Sequence, residues 1–129
     1  MTLENTMNSL EAFIVSCLSD DLLKKEYLKI PNKNIFTGHC YVASECYYHL
    51  SEEDLHVYQI HHEGSSHWFL KNTKTSKVID ITAKQFKTKV PYEKAKRRFF
   101  LTNEPSKRAK ILIKRVARRL DGIDTELQS

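Results

Sequence analysis

An α+β fold in one small domain is predicted by three observations. Apolar residues recur at three-four spacing in three separate segments, and short β-rich runs lie between the second and third of them. A length of 129 residues suffices for one hydrophobic core but leaves no room for a second domain and a linker. Hydrophobic residues at 40% and charged residues at 29% are ordinary for a soluble globular chain, so global disorder is not expected.

The first helix is read from Met7, Leu10, Phe13, Ile14, Cys17, Leu18 and Leu22, which share one face from Thr6 onward and carry the helix to about Asp21–Lys25. A shorter segment, Tyr27–Ile30, is halted by Pro31, and Asn32–Gly38 reads as a loop. After Gly38, Val42, Ala43, Cys46, Tyr47 and Leu50 return to helical spacing, which places Cys40 in the first turn of a core helix. Ser51 with Asp54 is read as a capped turn, and His56–His62 as β-rich. Glu63-Gly-Ser-Ser is a turn signal. His67–Leu70 and Lys77–Ile81 form two short strands joined as a hairpin by N-T-K-T-S, and a further strand is expected over Arg98–Thr102 with Phe99 and Phe100. Pro105 and Ser106 open a last helix with the apolar face Ala109, Leu112, Ile113, Val116 and Leu120; Gly122 is its expected stop, and the tail 123–129 is expected to fray.

Charge is unevenly spread. Between Lys84 and Arg119 there are 14 Lys or Arg against Glu93 and Glu104 alone, a local balance of +12, while the rest of the chain balances at −7. Such a basic third attracts nucleic acid or an acidic protein, or else forms a solvated face. Lys94, Arg97 and Arg98 in one segment, and Lys107, Arg108, Arg115 and Arg119 on the last helix, are its candidate contacts. No apolar run approaches the roughly 20 residues that span a bilayer, and the acids in the first residues do not suit a signal peptide, so a cytoplasmic protein without membrane contact is expected. Three cysteines, Cys17, Cys40 and Cys46, without the dense spacing of a secreted scaffold, agree with a reducing compartment.

Cys17 and Cys46 sit on apolar stripes and read as small buried hydrophobes. Cys40 differs, because a helix start favours the thiolate through unpaired N–H groups and the helix dipole. A cysteine nucleophile also needs a histidine base and a group that orients it. His67 and Asp80, thirteen residues apart on adjacent hairpin strands, meet that need if the register brings them side by side. A zinc site is the competing chemistry, since His39, Cys40, Cys46, His49, His61, His62 and His67 offer soft ligands, but there is no C-x2-C or H-x3-H pair, and no metal or organic cofactor is expected.

Gly38-His-Cys opening a helix, His67-Trp-Phe-Leu, and Val78-Ile-Asp-Ile-Thr resemble, in the same order, the G-x-C, H-x-W and D-x-T blocks of the transglutaminase-like superfamily. The aromatic residue after His67 also resembles the corresponding block of the papain-like peptidases that trim double-glycine leaders. The likeness spans about residues 34–83. Trp68 follows the histidine directly, where transglutaminases often interpose one residue, and Ile81 stands where a proline often follows the aspartate. The resemblance implies a papain-like core, with the cysteine helix packed on a small antiparallel sheet that bears His67 and Asp80. It implies a Cys40-His67-Asp80 triad, an oxyanion-binding amide at Asn34, six positions before the cysteine, and Trp68 as a wall of the cleft. The expected activity is attack on an amide or acyl bond of a protein or peptide through a thioester, as a peptidase, deamidase or acyltransferase. The alternative is a binding module of the same fold that uses its basic third without chemistry.

Overall fold

The computed structural model describes residues 3–23, 28–29, 38–100 and 102–128, and of residues 3–9 and 121–128 the backbone alone. Tyr27 and Ile30 of the expected Tyr27–Ile30 segment, and the expected loop from Asn32 up to Gly38, lie outside the described residues.

Helices and an antiparallel sheet make up the fold, which is therefore α+β. Helix α1 (Leu3–Cys17) is followed by a 3-10 turn at Asp20–Leu22, and α2 (Cys40–Leu50) precedes strands β1 (Leu55–His62), β2 (Ser65–Asn72) and β3 (Val78–Ile79). Two more 3-10 turns, Ala83–Gln85 and Tyr92–Lys94, lead into β4 (Lys96–Arg98) and α3 (Lys107–Gln128). The strands lie in the order β3-β2-β1-β4, and each neighbouring pair is antiparallel. Among the described residues, no helix is long and apolar enough to cross a membrane.

Turn chemistry fixes the sheet register. Glu63 and Gly64 both have positive φ, 50° and 78°, the backbone of a two-residue type I′ hairpin, so His62 pairs with Ser65 and Ile60 with His67. The second hairpin closes on Asn72, whose side-chain oxygen accepts the N–H groups of Lys74 and Thr75 at 2.9 and 3.0 Å. Leu70 then pairs with Ile79. The period of two sends Leu55, Val57, Leu70 and Ile79 to the helical side, where they join Ile14, Cys46, Tyr47, Leu112 and Val116 in the core.

Helix α2 packs against α1, α3 and β2, and a buried carboxyl ties it to α3. Glu45, 1% exposed, accepts the Ser106 backbone N–H at 2.8 Å and the Ser106 hydroxyl at 2.6 Å. The same hydroxyl oxygen accepts the Ala109 N–H at 3.2 Å, which caps α3.

Several expectations about elements change. Helix α1 ends at Cys17 rather than near Asp21–Lys25, with Asp20–Leu22 as a separate 3-10 turn, and the strand expected over Lys77–Ile81 is only Val78–Ile79, which leaves Asp80 just past its end. The last helix does not stop at Gly122 and the tail does not fray, because α3 runs on to Gln128. One glycine costs a helix only about 1 kcal/mol, and the residues after it, Ile-Asp-Thr-Glu-Leu-Gln, contain no breaker. Leu120 lies at the margin of the apolar face, 37% exposed. The last strand is displaced from Arg98–Thr102 to Lys96–Arg98, where Lys96, Arg97 and Arg98 pair with Gln59, Tyr58 and Val57. The chain leaves the sheet at Phe99, which is 73% exposed, so that Phe100 can pack edge-on against Tyr41 and Tyr48 of α2. After α2, Ser51 bonds to Glu53 rather than Asp54.

Candidate active site

Cys40 is the first residue of α2, after His39 as its N-cap, and the first helical bond runs from the Ala43 N–H to the His39 carbonyl at 2.9 Å. A helix start leaves its leading N–H groups without an acceptor in the helix, and Cys40 stands in that first turn. Gly38, with φ of 80°, supplies the backbone conformation that lets the chain turn into the helix. The His39 ring bonds the Ser19 carbonyl at 2.9 Å. The Cys40 side chain is 7% exposed and its sulfur lies 3.7 Å from the Ser66 carbonyl oxygen.

His67 is fully buried on β2, on the sheet face opposite the helical core. Phe86 meets its ring edge-on at 4.7 Å and Phe69 lies parallel at 6.2 Å, which walls it from water. Asp80 immediately follows β3, and the Leu70–Ile79 register extended by one residue puts it on the face of His67. Asp80 Oδ2 accepts His67 Nε2–H at 2.7 Å and the Tyr92 hydroxyl at 2.8 Å. Burial alone would lower the His67 pKa. Hydrogen bonding to Asp80 and Cys40, and the charges of both, outweigh it and raise the histidine to about 9. The Tyr92 hydroxyl is pushed above its ordinary range by burial and by Asp80.

Gln85 was not among the sequence candidates, yet it touches His67. Its Oε1 accepts the Gly38 N–H at 3.2 Å and its Nε2 lies 3.1 Å from His67 Nδ1. A backbone N–H can only donate, so the atom facing Gly38 is oxygen and the atom facing His67 is the NH2 group. Nδ1 is then an acceptor, and the neutral ring carries its proton on Nε2, toward Asp80. The loop bearing Gln85 is held by the β1–β2 turn: Glu63 accepts the N–H groups of Lys87 and Thr88 at 3.2 and 2.8 Å, and the Thr88 hydroxyl meets His62 Nε2 at 2.9 Å. Gln85 therefore occupies the lone pair of Nδ1. Gln85→Glu would replace the amide N–H by an acceptor and stabilise the protonated ring, so the His67 pKa should rise by about one unit or more. Imidazole proton shifts followed by NMR across pH measure it, and an unchanged midpoint would remove Gln85 from this role.

Comparison with protein-family models, with curated proteins and with solved structures finds no match. The chemistry of the site rests on its own atoms.

A cleft of about 600 Å³ opens over the thiol. Cys40, Tyr41 and Val42 of α2, Gln59, Ser66 and Trp68 of the sheet, and Ser106, Lys107 and Arg108 at the start of α3 line it. Trp68 is half-buried in this wall and meets Tyr41 edge-on at 4.9 Å. Asn34, the expected oxyanion amide, lies outside the described residues.

The basic candidates do not form one face. Arg115 forms a two-pronged ion pair with Asp21 and also bonds the Ser19 hydroxyl at 2.8 Å, so it joins α3 to the Asp20–Leu22 turn. It is thus engaged within the chain, as a clamp between two elements. Arg98 donates to Gln59 at 2.9 Å, and Arg97 lies over the exposed Phe99 ring at 4.9 Å. Lys94 is exposed on a 3-10 turn, Arg119 borders a shallow groove with Arg115 and Arg118, and Lys107 and Arg108 belong to the Cys40 cleft. Cys17 and Cys46 are buried free thiols, and burial pushes Cys46 up to about 12. Among the described residues, no three His, Cys, Asp or Glu side chains converge as a metal site.

Proposed function

We propose that the protein is a thiol enzyme with a papain-like, transglutaminase-like core that acts on amide or related acyl bonds through Cys40, His67 and Asp80. The observation that carries the reading is the position of His67, bonded through Nε2 to Asp80 at 2.7 Å while Cys40 acts on the same ring at the start of a helix. In the reaction, the thiol proton passes to His67 Nδ1 and the sulfur attacks the substrate carbonyl carbon. The carbonyl π electrons move to oxygen, and N–H groups of the helix start stabilise that oxyanion. Collapse of the adduct breaks the C–N bond, and the departing amine takes the proton from Nδ1, leaving a thioester on Cys40. Water or an amine then attacks the thioester, gives a proton to Nδ1 and releases the thiolate. Hydrolysis yields a peptidase or deamidase, and amine attack an acyltransferase. No cofactor enters this scheme, and three free cysteines suit a cytoplasmic setting.

A non-catalytic module that grips nucleic acid or an acidic protein draws less support, because Arg97, Arg98 and Arg115 are engaged within the chain. Iodoacetamide labelling of the native protein near neutral pH, read site by site by mass spectrometry, tests the thiol-enzyme reading. Cys40 should react about tenfold or more faster than a simple thiol such as glutathione, and Cys17 and Cys46 only on unfolding. A Cys40 rate no greater than that of glutathione would refute it.

A further inference from the structure

Among the described residues, the charged side chains that line the cleft above Cys40 are both cationic. Lys107 and Arg108 stand at its α3 rim, Arg108 half-buried, and neither is paired with a carboxylate among the described residues. A third cation, Arg98, is bonded to Gln59 of the sheet wall, which itself bonds the Ser66 hydroxyl. Among the described residues, no acidic one lines the cleft. Glu45 is buried beneath this rim and already bonded to the Ser106 N–H and hydroxyl, so it closes the end of α3, and Glu104 is turned to Lys110. Tyr41 and Trp68 supply an apolar wall. A half-buried guanidinium without a partner is an unfilled electrostatic demand, and its planar fork matches a carboxylate.

We infer that this cleft selects acyl substrates that carry a carboxylate beside the bond attacked by Cys40, namely acidic peptides, with Arg108 and Lys107 as the carboxylate subsite. The inference rests on the thiol-enzyme reading and deepens it by naming the substrate class. Arg108 grips the carboxylate, Lys107 adds a point charge at the mouth, and the aromatic wall takes the neighbouring apolar part of the substrate.

A pair of alkylating reagents tests this without a known substrate. In both, the Cys40 sulfur displaces iodide from a CH2 carbon, but iodoacetate carries a carboxylate and iodoacetamide is neutral. The ratio of the two rate constants at Cys40, compared with the same ratio for glutathione, should be raised about tenfold at low salt and fall as salt is added. In the double variant Arg108→Gln, Lys107→Gln the ratio should drop about fivefold or more, and Arg108→Lys should retain part of it. N-acetylglutamate α-amide and N-acetylglycine, used as protecting ligands against iodoacetamide, then separate a side-chain carboxylate from a chain-terminal one. Protection by either supports the subsite and names the source, and protection by neither, or equal protection by N-acetylglutamine amide, overturns it. A wild-type iodoacetamide rate no greater than that of glutathione refutes the enzyme reading and this inference together. A fast iodoacetamide rate with a ratio that the double variant leaves unchanged refutes the carboxylate subsite alone.

Discussion

Cys40→Ala is expected to abolish acyl transfer while leaving the fold in place. The measurement is the release of p-nitrophenol from p-nitrophenyl acetate, with intact mass to detect acetyl-Cys40. Wild-type protein should acetylate at Cys40 and the variant should show only the background rate. Little stability should be lost, because alanine is the best helix former and Cys40 lies at the edge of the cleft rather than in the central cluster. His67→Ala should lower the rate on the order of 10³-fold, nearly as much as loss of the thiol, since groups that act as a unit do not contribute additively. Cys46→Ala is the control: Cys46 is fully buried in the core, so its loss should cost roughly 1 kcal/mol through a small cavity and leave acetylation of Cys40 intact. Full activity in Cys40→Ala would end the thiol-enzyme reading.

The parts of this molecule that were legible in the sequence are those governed by local period and turn chemistry. Helical spacing after Gly38 placed Cys40 at a helix start, and the strand runs at His67 and Lys77 paired as a hairpin because Asn72 closes its loop. Once the hairpin exists, the period of two forces Asp80 to the face of His67, so two of the candidate residues were brought together by arithmetic that a sequence contains. Long-range choices were not legible. Gln85 reaches Gly38 across 47 positions only because Glu63 fixes its loop, although it is the one carboxamide between Asn72 and Asn103 and a search for amides downstream of Asp80 would have found it. Tyr92 carried no signal as a partner of Asp80. The basic third read as a single charge cloud, whereas the fold divides it among an internal clamp at Arg115, a sheet edge at Lys96–Arg98 and the cleft rim at Lys107 and Arg108. Net charge per segment has no information about which side of a helix meets a neighbour.

Asp80→Asn should separate charge from tautomer at this site. The oxygen that accepts His67 Nε2–H also accepts the Tyr92 hydroxyl, so two donors converge on one atom. An asparagine satisfies both by placing its carbonyl oxygen there, which turns its NH2 group to the position of Oδ1, a buried atom with no hydrogen-bond partner among the described residues. The neutral ring then keeps its proton on Nε2, and Nδ1 stays open to the Cys40 proton. What is lost is the negative charge. Burial already works against the imidazolium, and without Asp80 the rise to about 9 is no longer supported, so the His67 pKa should fall by about one to two units. The sign follows for stability. A histidine raised in the folded state contributes stability that is complete below its ordinary value near 6.5 and fades as pH climbs through about 9. The variant should therefore be less stable than wild type near pH 6, and the difference should narrow toward pH 9 to 10, as thermal unfolding across pH will show. Activity should follow the same group: the alkaline limb of the acetylation rate moves to lower pH, and the rate at its optimum falls by about 10- to 100-fold, less than for Asp80→Ala, which leaves Nε2–H and the Tyr92 hydroxyl without an acceptor. Adding Tyr92→Phe to Asp80→Asn frees the asparagine to turn its NH2 toward Nε2 and moves the ring proton to Nδ1, so the double variant should lose far more activity than the single. Equal rates in the two variants would show that Tyr92 does not fix the orientation of residue 80.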